Sequence, residues 1–332
     1  MRINDVAVRA ARRHHMEIFL HTGLFEHGVQ PDVGIVCPYP FEDRVRIQHP
    51  DWCPRDRWGQ RRCPGPLSFA SPQVRRLLVD RYVRHVTAHG YDGLSFYPYV
   101  ENVGIRYDDE FGFEPAVVRE FQRLHPDADP TRDLLTEQQR LDLHRCRGKF
   151  VTDFLRELHT ALQARGKRLA VILDAKDPAN AQPWWGHPIP GTSSIHMDWE
   201  TWVKERIVDE LYVQLGEVAD QQATLDRLLA TCAGTPVKLT VRATHPLQET
   251  SWASYVQRGV TPISCITSPV NDLERYTREP TSPATLRDPD WRLRAQKLAD
   301  IAAGKLEAEA AAVSAATRDP HFLVRRQSLF AL

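Results

Sequence analysis

The chain has 332 residues, 42% hydrophobic and 26% charged, with 43 Lys+Arg balancing 43 Asp+Glu. A formal net charge of zero gives no basis for a nucleic-acid surface, so no nucleic-acid partner is expected. No window approaches the roughly 18 apolar residues needed to span a membrane, and "MRINDVAVRAARRHH" lacks the apolar core of a signal peptide, so no export signal is visible and localisation stays open.

In chain order, the sequence opens in an amphipathic helix, "DVAVRAARRHH", that leads into a first strand, "MEIFLH" (Met16 to His21). Ser71 and Pro72 suit an N-cap and first helical turn. Val74, Leu77, Leu78, Val83 and Val86 then form one stripe, and Gly90 ends the helix. The second strand is "YDGLSFY" (Tyr91 to Tyr97). A short helix follows from Pro115 through Val117, Val118, Phe121 and Leu124. A longer stripe of Phe150, Val151, Phe154, Leu155, Leu158 and Leu162 stops before Gly166. "KRLAVILDA" (Lys167 to Ala175) and "VDELYVQL" (Val208 to Leu215) read as the next strands. Asp220 caps a helix carrying Leu225, Leu228 and Leu229, before "PVKLTVRAT" (Pro236 to Thr244) and "TPISCIT" (Thr261 to Thr267). Near-continuous apolar runs of this length suit parallel strands buried on both faces.

Six βα units in one run predict an α/β fold with a parallel sheet. A doubly wound sheet is the competitor, but no Gly-rich phosphate turn follows any strand. Long irregular loops after several strands favour the (β/α)8 TIM-barrel type, whose working face is built from such loops. With six units visible and a helical start, the expectation is an incomplete barrel over residues 1–280 lacking its first two units; an open six-stranded assembly is the other reading. Residues 281–332 are expected to form a C-terminal helical extension, with Trp291, Leu298, Ile301 and Leu306 at helical spacing. The six cysteines (Cys37, Cys53, Cys63, Cys146, Cys232, Cys265) show no CxxC spacing and read as free thiols, a Cys53–Cys63 bridge being the alternative.

In a barrel, chemistry sits at strand C-termini. After the first strand come His21, Glu26 and His27. After the second come Tyr97, Tyr99, Glu101, Asn102, Arg106, Asp108 and Asp109. The third ends in Asp174, the fourth near Gln214 and the fifth at Arg242. Carboxylates, amides, aromatics and an Arg on one rim are what glycoside hydrolysis uses: one acid protonates the leaving oxygen and a second group acts as nucleophile or base. The catalytic candidates are Glu101, as general acid, and Asp174, as its ionised partner. His21, Glu26, Tyr97, Tyr99, Asn102, Arg106, Gln214 and Arg242 are the candidates for binding a carbohydrate substrate. Plainer roles stand beside these. Glu101 can be a solvated loop residue, Asp108 and Asp109 can cap a turn or pair with Arg106, and His21 can be a hydrogen-bonded core histidine. Asp92 reads as structural. Asp198 reads as an N-cap with Trp199 and Trp202 packed behind it, a tryptophan pair that could also line a sugar site. A metal site from His21, Glu26 and His27 lacks HxH or HExxH spacing, so neither metal nor cofactor is expected.

Four stretches taken together, "HPDWCPRDRWGQ", "LSFASPQVRRLLVDRYVRHV", "GYDGLSFYPYVEN" and "DWETWVKERIVDELYVQL", resemble the glycosyl hydrolase-like family 10 barrels over roughly Met16 to Ser268. The resemblance implies a barrel that hydrolyses a polysaccharide or glycoconjugate, with the family's first two strands absent here. One departure matters. Where similar barrels end the second strand in an Asp, this chain has Tyr97. That leaves either a displaced carboxylate, with Glu101 the nearest candidate, or a barrel that binds carbohydrate without cutting it.

Overall fold

The computed structural model describes residues 3–28, 43–63, 65–98, 110–174, 195–215, 221–242, 255–263 and 310–319, with single positions between 286 and 328. The chain divides into two compact units, Met1–Ile263 and Ser264–Leu332.

In the first unit, α1 (Ile3–Arg13) leads into β1 (Phe19–Gly23), α2 (Arg44–Gln48), α3 (Pro72–His89) and β2 (Gly93–Tyr97). After these come α4 (Pro115–Leu124), α5 (Glu137–Gln163), β3 (Arg168–Asp174), α6 (Trp199–Lys204), β4 (Glu210–Gln214), α7 (Gln221–Cys232), β5 (Lys238–Arg242) and β6 (Thr261–Ile263). The described strands form one parallel sheet in the order β1-β2-β3-β4-β5-β6. Sequential order matters here. A doubly wound sheet reverses direction at a switch point, whereas this sheet always adds the next strand on the same side, as a barrel wall does. The fold is therefore α/β of the (β/α)-barrel type.

Side-chain alternation gives the two faces of that wall different partners. Leu94 and Phe96, Leu169, Val171 and Leu173, Leu211 and Val213, and Leu239 and Val241 share one buried cluster with apolar residues of α3, α5, α6 and α7. Their alternates, Ser95 and Tyr97 among them, take the opposite face. Helix signals in the sequence worked as expected. Ser71 accepts the Val74 N–H and Gly90 ends α3 in the left-handed region, at φ 75°. Asp198 accepts the Thr201 N–H (3.3 Å) as the N-cap of α6. The described cysteines Cys53, Cys63, Cys146 and Cys232 are free thiols, all buried. Asp220 lies outside the described residues.

Asp92 and Asp209 occupy equivalent places, one residue before β2 and β4, and each ties its strand to the preceding one. The Asp92 carboxylate accepts the Ile18 N–H (2.8 Å) and pairs with Arg12 (2.7 Å). Asp209 accepts the Leu169 N–H (2.7 Å) and lies 3.3 Å from His159 Nε2. Partial burial pushes both carboxyls up, but these bonds and the nearby cations outweigh it and hold both below the usual carboxylate range. A carboxyl whose pKa is lower in the folded state adds stability above its unfolded pKa, near 3.9, and loses it as pH falls through the folded value. The double variant Asp92→Asn/Asp209→Asn is thus expected to be less stable than the parent at pH 6, by on the order of 1–2 kcal/mol. The gap should narrow as pH falls below about 4. Denaturant titrations from pH 6 to 2.5 check this, and a gap that widens in acid would contradict it.

In the second unit, α8 (Ala310–Ala316) contributes Val313 and Ala316 to a small core with Leu298 and Val324. Asp319 accepts two bonds from Arg294, from Nε at 2.7 Å and Nη2 at 2.9 Å. The helical spacing read for Leu298 and Ile301 corresponds to positions packed in or against this core. Trp291 and Leu306 lie outside the described residues.

Candidate functional site

The C-terminal ends of β1 and β2 are adjacent, with Gly23 opposite Tyr97. The chain then folds back sharply, and the Leu24 N–H donates to the Tyr97 carbonyl (2.9 Å). Glycine leaves room here for the Glu26 side chain. A Cβ at Gly23 would lie 2.7 Å from Glu26 Cγ, 2.8 Å from its Oε2 and 2.9 Å from its Cβ. With no side chain in the way, Glu26 lies back over the strand end, and its Oε2 accepts a hydrogen bond from the Tyr97 hydroxyl. His21, two residues before Gly23 on the same face, places its ring 5.1 Å from the Tyr97 ring at 36°. Its Nδ1 is 3.3 Å from Ser95 Oγ. The residue keeps much of its surface at the sheet edge, yet the neighbours crowding the imidazole lower its pKa by desolvation.

Of the residues singled out in the sequence, the fold thus brings His21, Glu26 and Tyr97 together. Asp174, Gln214 and Arg242 fall in one row of the register at the ends of β3, β4 and β5. Phe96 pairs with Val171, so Asp174 lies two residues beyond the level of Tyr97, about 6.6 Å along the strand. Tyr99, Glu101, Asn102 and Arg106 lie outside the described residues, as do Asp108 and Asp109.

Trp199 and Trp202 follow the packing reading of the sequence, and His27 leaves the rim. Trp199 and Trp202 are 5% and 0% exposed and belong to the core between α6, α5 and the sheet. They do not line a sugar site, because the Asp198 cap starts a helix whose first turn packs inward. His27 is separate from the rim. It is fully buried, its Nδ1 accepts the Leu67 N–H (3.3 Å), and desolvation, helped by Arg81 and Arg46 against Asp43, lowers its pKa to about 3.

The fold also places groups that sequence reasoning did not single out. Between β1 and α3, Asp56 accepts the backbone N–H groups of Gln60 (2.8 Å) and Arg61 (3.1 Å). This closes a turn inside "HPDWCPRDRWGQ". Beside it is a cavity of about 60 Å³ lined by Phe25, Leu67, Ser68, Phe111, Glu114 and Arg147 among others. Burial there raises the Glu114 carboxyl above its usual range, against the hydrogen bond with Ser68 and the charge of Arg147. The only sequence signal for it is a Glu-Pro pair starting α4, which reads first as a cap.

A parallel, sequentially ordered α/β wall carrying an acid–phenol–imidazole cluster at its C-terminal rim is the class of protein these observations define. Solved structures to which the chain is similar include glycoside-processing enzymes. The PgaB (BpsB) glycoside hydrolase domain from Bordetella bronchiseptica is similar at 14% identity and TM-score 0.47, over 83% of this chain and 76% of that one. A chitinase from Chromobacterium violaceum is similar at 11% identity and TM-score 0.35, over 73% of this chain. A β-galactosidase from Marinomonas ef1 is similar at 12% identity and TM-score 0.38, over 64% of this chain. This chain spans 55% of the chitinase and 32% of the β-galactosidase. No protein-family model matches the chain and no curated protein matches it, so the likeness to glycosyl hydrolase-like family 10 is one of motifs. Among the described residues, no helix is long and apolar enough to cross a membrane.

Proposed function

We propose that the protein is a glycoside hydrolase acting on a polysaccharide or glycoconjugate, with Glu101 as general acid and Asp174 as its ionised partner. The observation that carries this reading is the rim itself. A carboxyl group, a phenol and an imidazole converge at the ends of β1 and β2. The register brings Asp174 level with Gln214 and Arg242 along the same edge. Acids, amides and aromatic rings on one edge of a parallel wall suit a sugar: the rings pack on its apolar faces, and the acids supply proton transfer and charge. Glu101 is four residues beyond Tyr97 in the sequence, and a protonated carboxyl is what the leaving oxygen requires.

A second reading has one specific observation behind it. Tyr97 stands where the resemblance calls for an Asp, so a barrel that binds carbohydrate without cutting it is the alternative.

A glycan-panel assay on the parent, Glu101→Gln and Asp174→Asn separates the two. Loss of about 100-fold or more in turnover in each variant, with unchanged circular dichroism, supports the pair. Parent-like turnover in both puts the acids elsewhere. Binding by the parent without turnover favours the non-catalytic barrel.

A further inference from the structure

We infer that Tyr97 is the nucleophile of this site and that Glu26 is the base that takes its proton, a role for both that rests on the glycosidase reading above and leaves ionised Asp174 to stabilise positive charge at the anomeric carbon. A phenol attacks poorly while it holds its proton, so a tyrosine nucleophile needs a base already in contact with its oxygen. Here the Tyr97 hydroxyl donates to Glu26 Oε2. The contact depends on a backbone device, because any side chain at position 23 would collide with Glu26 in its observed place. The neighbouring His21 ring lies 5.1 Å from the Tyr97 ring, and its burial lowers its pKa. The pair stands at a strand end, half-buried, with His21 exposed beside it.

The chemistry balances without an added reactant. As the Tyr97 oxygen bonds to the anomeric carbon and the glycosidic C–O bond breaks, the phenolic proton passes to Glu26. The leaving oxygen takes a proton from the general acid proposed above, Glu101. Water then attacks the anomeric carbon and gives a proton to the Glu101 carboxylate. As the bond to Tyr97 breaks, Glu26 returns its proton to the phenolate. Two displacements leave the anomeric configuration retained. The phenol brings no charge of its own to the anomeric carbon, but the Glu26 carboxylate stands directly behind it, so neutral sugars are the expected substrates and sugars with a carboxylate on the anomeric carbon are the contrast.

The test uses the full chain with two series of 4-nitrophenyl glycosides, neutral sugars and sugars bearing that carboxylate. A fluorosugar fluoride of each series serves as a trap, read by peptide mass spectrometry. The expected result is turnover by the parent and a glycosyl adduct on Tyr97. Tyr97→Phe should lose about 1,000-fold or more and the adduct. Glu26→Gln should lose about 100-fold. Parent-like turnover in Tyr97→Phe, or an adduct on Asp174 or another carboxylate, overturns the inference and leaves the glycosidase reading standing. A parent with neither turnover nor adduct in either series removes both. Should Tyr97→Phe fail to fold, the site of the parent's adduct decides alone.

Discussion

Trp202→Ala is expected to lower unfolding free energy by about 3–5 kcal/mol, the range for deleting a large buried aromatic. Trp202 is 0% exposed and sits in the second turn of α6, against α5 and the sheet. Its indole Nε1 donates to Thr152 Oγ1 (2.8 Å), and Thr152 is itself buried. Alanine would therefore create a cavity and strand a buried hydroxyl, two costs that add because α5 and the sheet are fixed by other contacts. Trp202→Phe should lose less, since it keeps most of the volume and gives up the hydrogen bond. Equilibrium urea denaturation of the three proteins measures both steps. A loss below about 1 kcal/mol for alanine would mean that the indole does not fill this core.

Gly148→Ala is expected to destabilise the protein although it places the best helix former inside a helix. On propensity alone the change would gain about 1 kcal/mol. The fold reverses that sign. A Cβ at position 148 would lie 1.9 Å from the His196 carbonyl oxygen and 2.9 Å from its carbon. That atom is backbone and cannot rotate aside. His144, Gly148 and Thr152 succeed one another at four-residue spacing on α5 and form one docking stripe. The His196 N–H bonds to the His144 carbonyl (3.1 Å), the chain passes over Gly148, and Trp202 reaches Thr152. Pushing the middle of this stripe apart should cost about 1–3 kcal/mol and lower protection of the His196 amide in hydrogen exchange. Gly166→Ala is the comparison, because nothing lies within 4 Å of a Cβ there and only its φ of 64° is unfavourable. Its cost should stay near 1 kcal/mol. A Gly148→Ala protein more stable than the parent would show that the two segments are not held together.

The strand–helix units and the parallel class were legible because they depend on local chemistry. Apolar runs flanked by caps mark the six strands, and Ser71, Gly90 and Asp198 perform the capping that their types suggest. Boundaries were less legible. β1 begins at Phe19, three residues after the apolar run does, and Met16 is 61% exposed. The helix α5 begins at Glu137, with Thr136 and Gln139 in a capping box, well before the stripe that starts at Phe150. Its first turns are mostly polar and join the helix by capping and side contacts, which periodicity does not report.

By itself the sequence determined the order of the βα units, the place of Tyr97 at the end of β2 and the inward-packing cap of α6. Each of these is set by residues within a few positions of one another. The tertiary structure alone decided that Glu26 meets Tyr97, 71 positions away, that Asp92 and Asp209 lock neighbouring strands, and that Glu114 and Arg147 line one cavity. It also put backbone where a side chain at position 148 would go, and the Glu26 side chain where one at position 23 would go. The physical reason is common to all of them. Hydrogen bonds, desolvation and steric exclusion act over a few ångströms of space, and the spacing of residues along a chain does not say which distant segments the sheet order will bring that close.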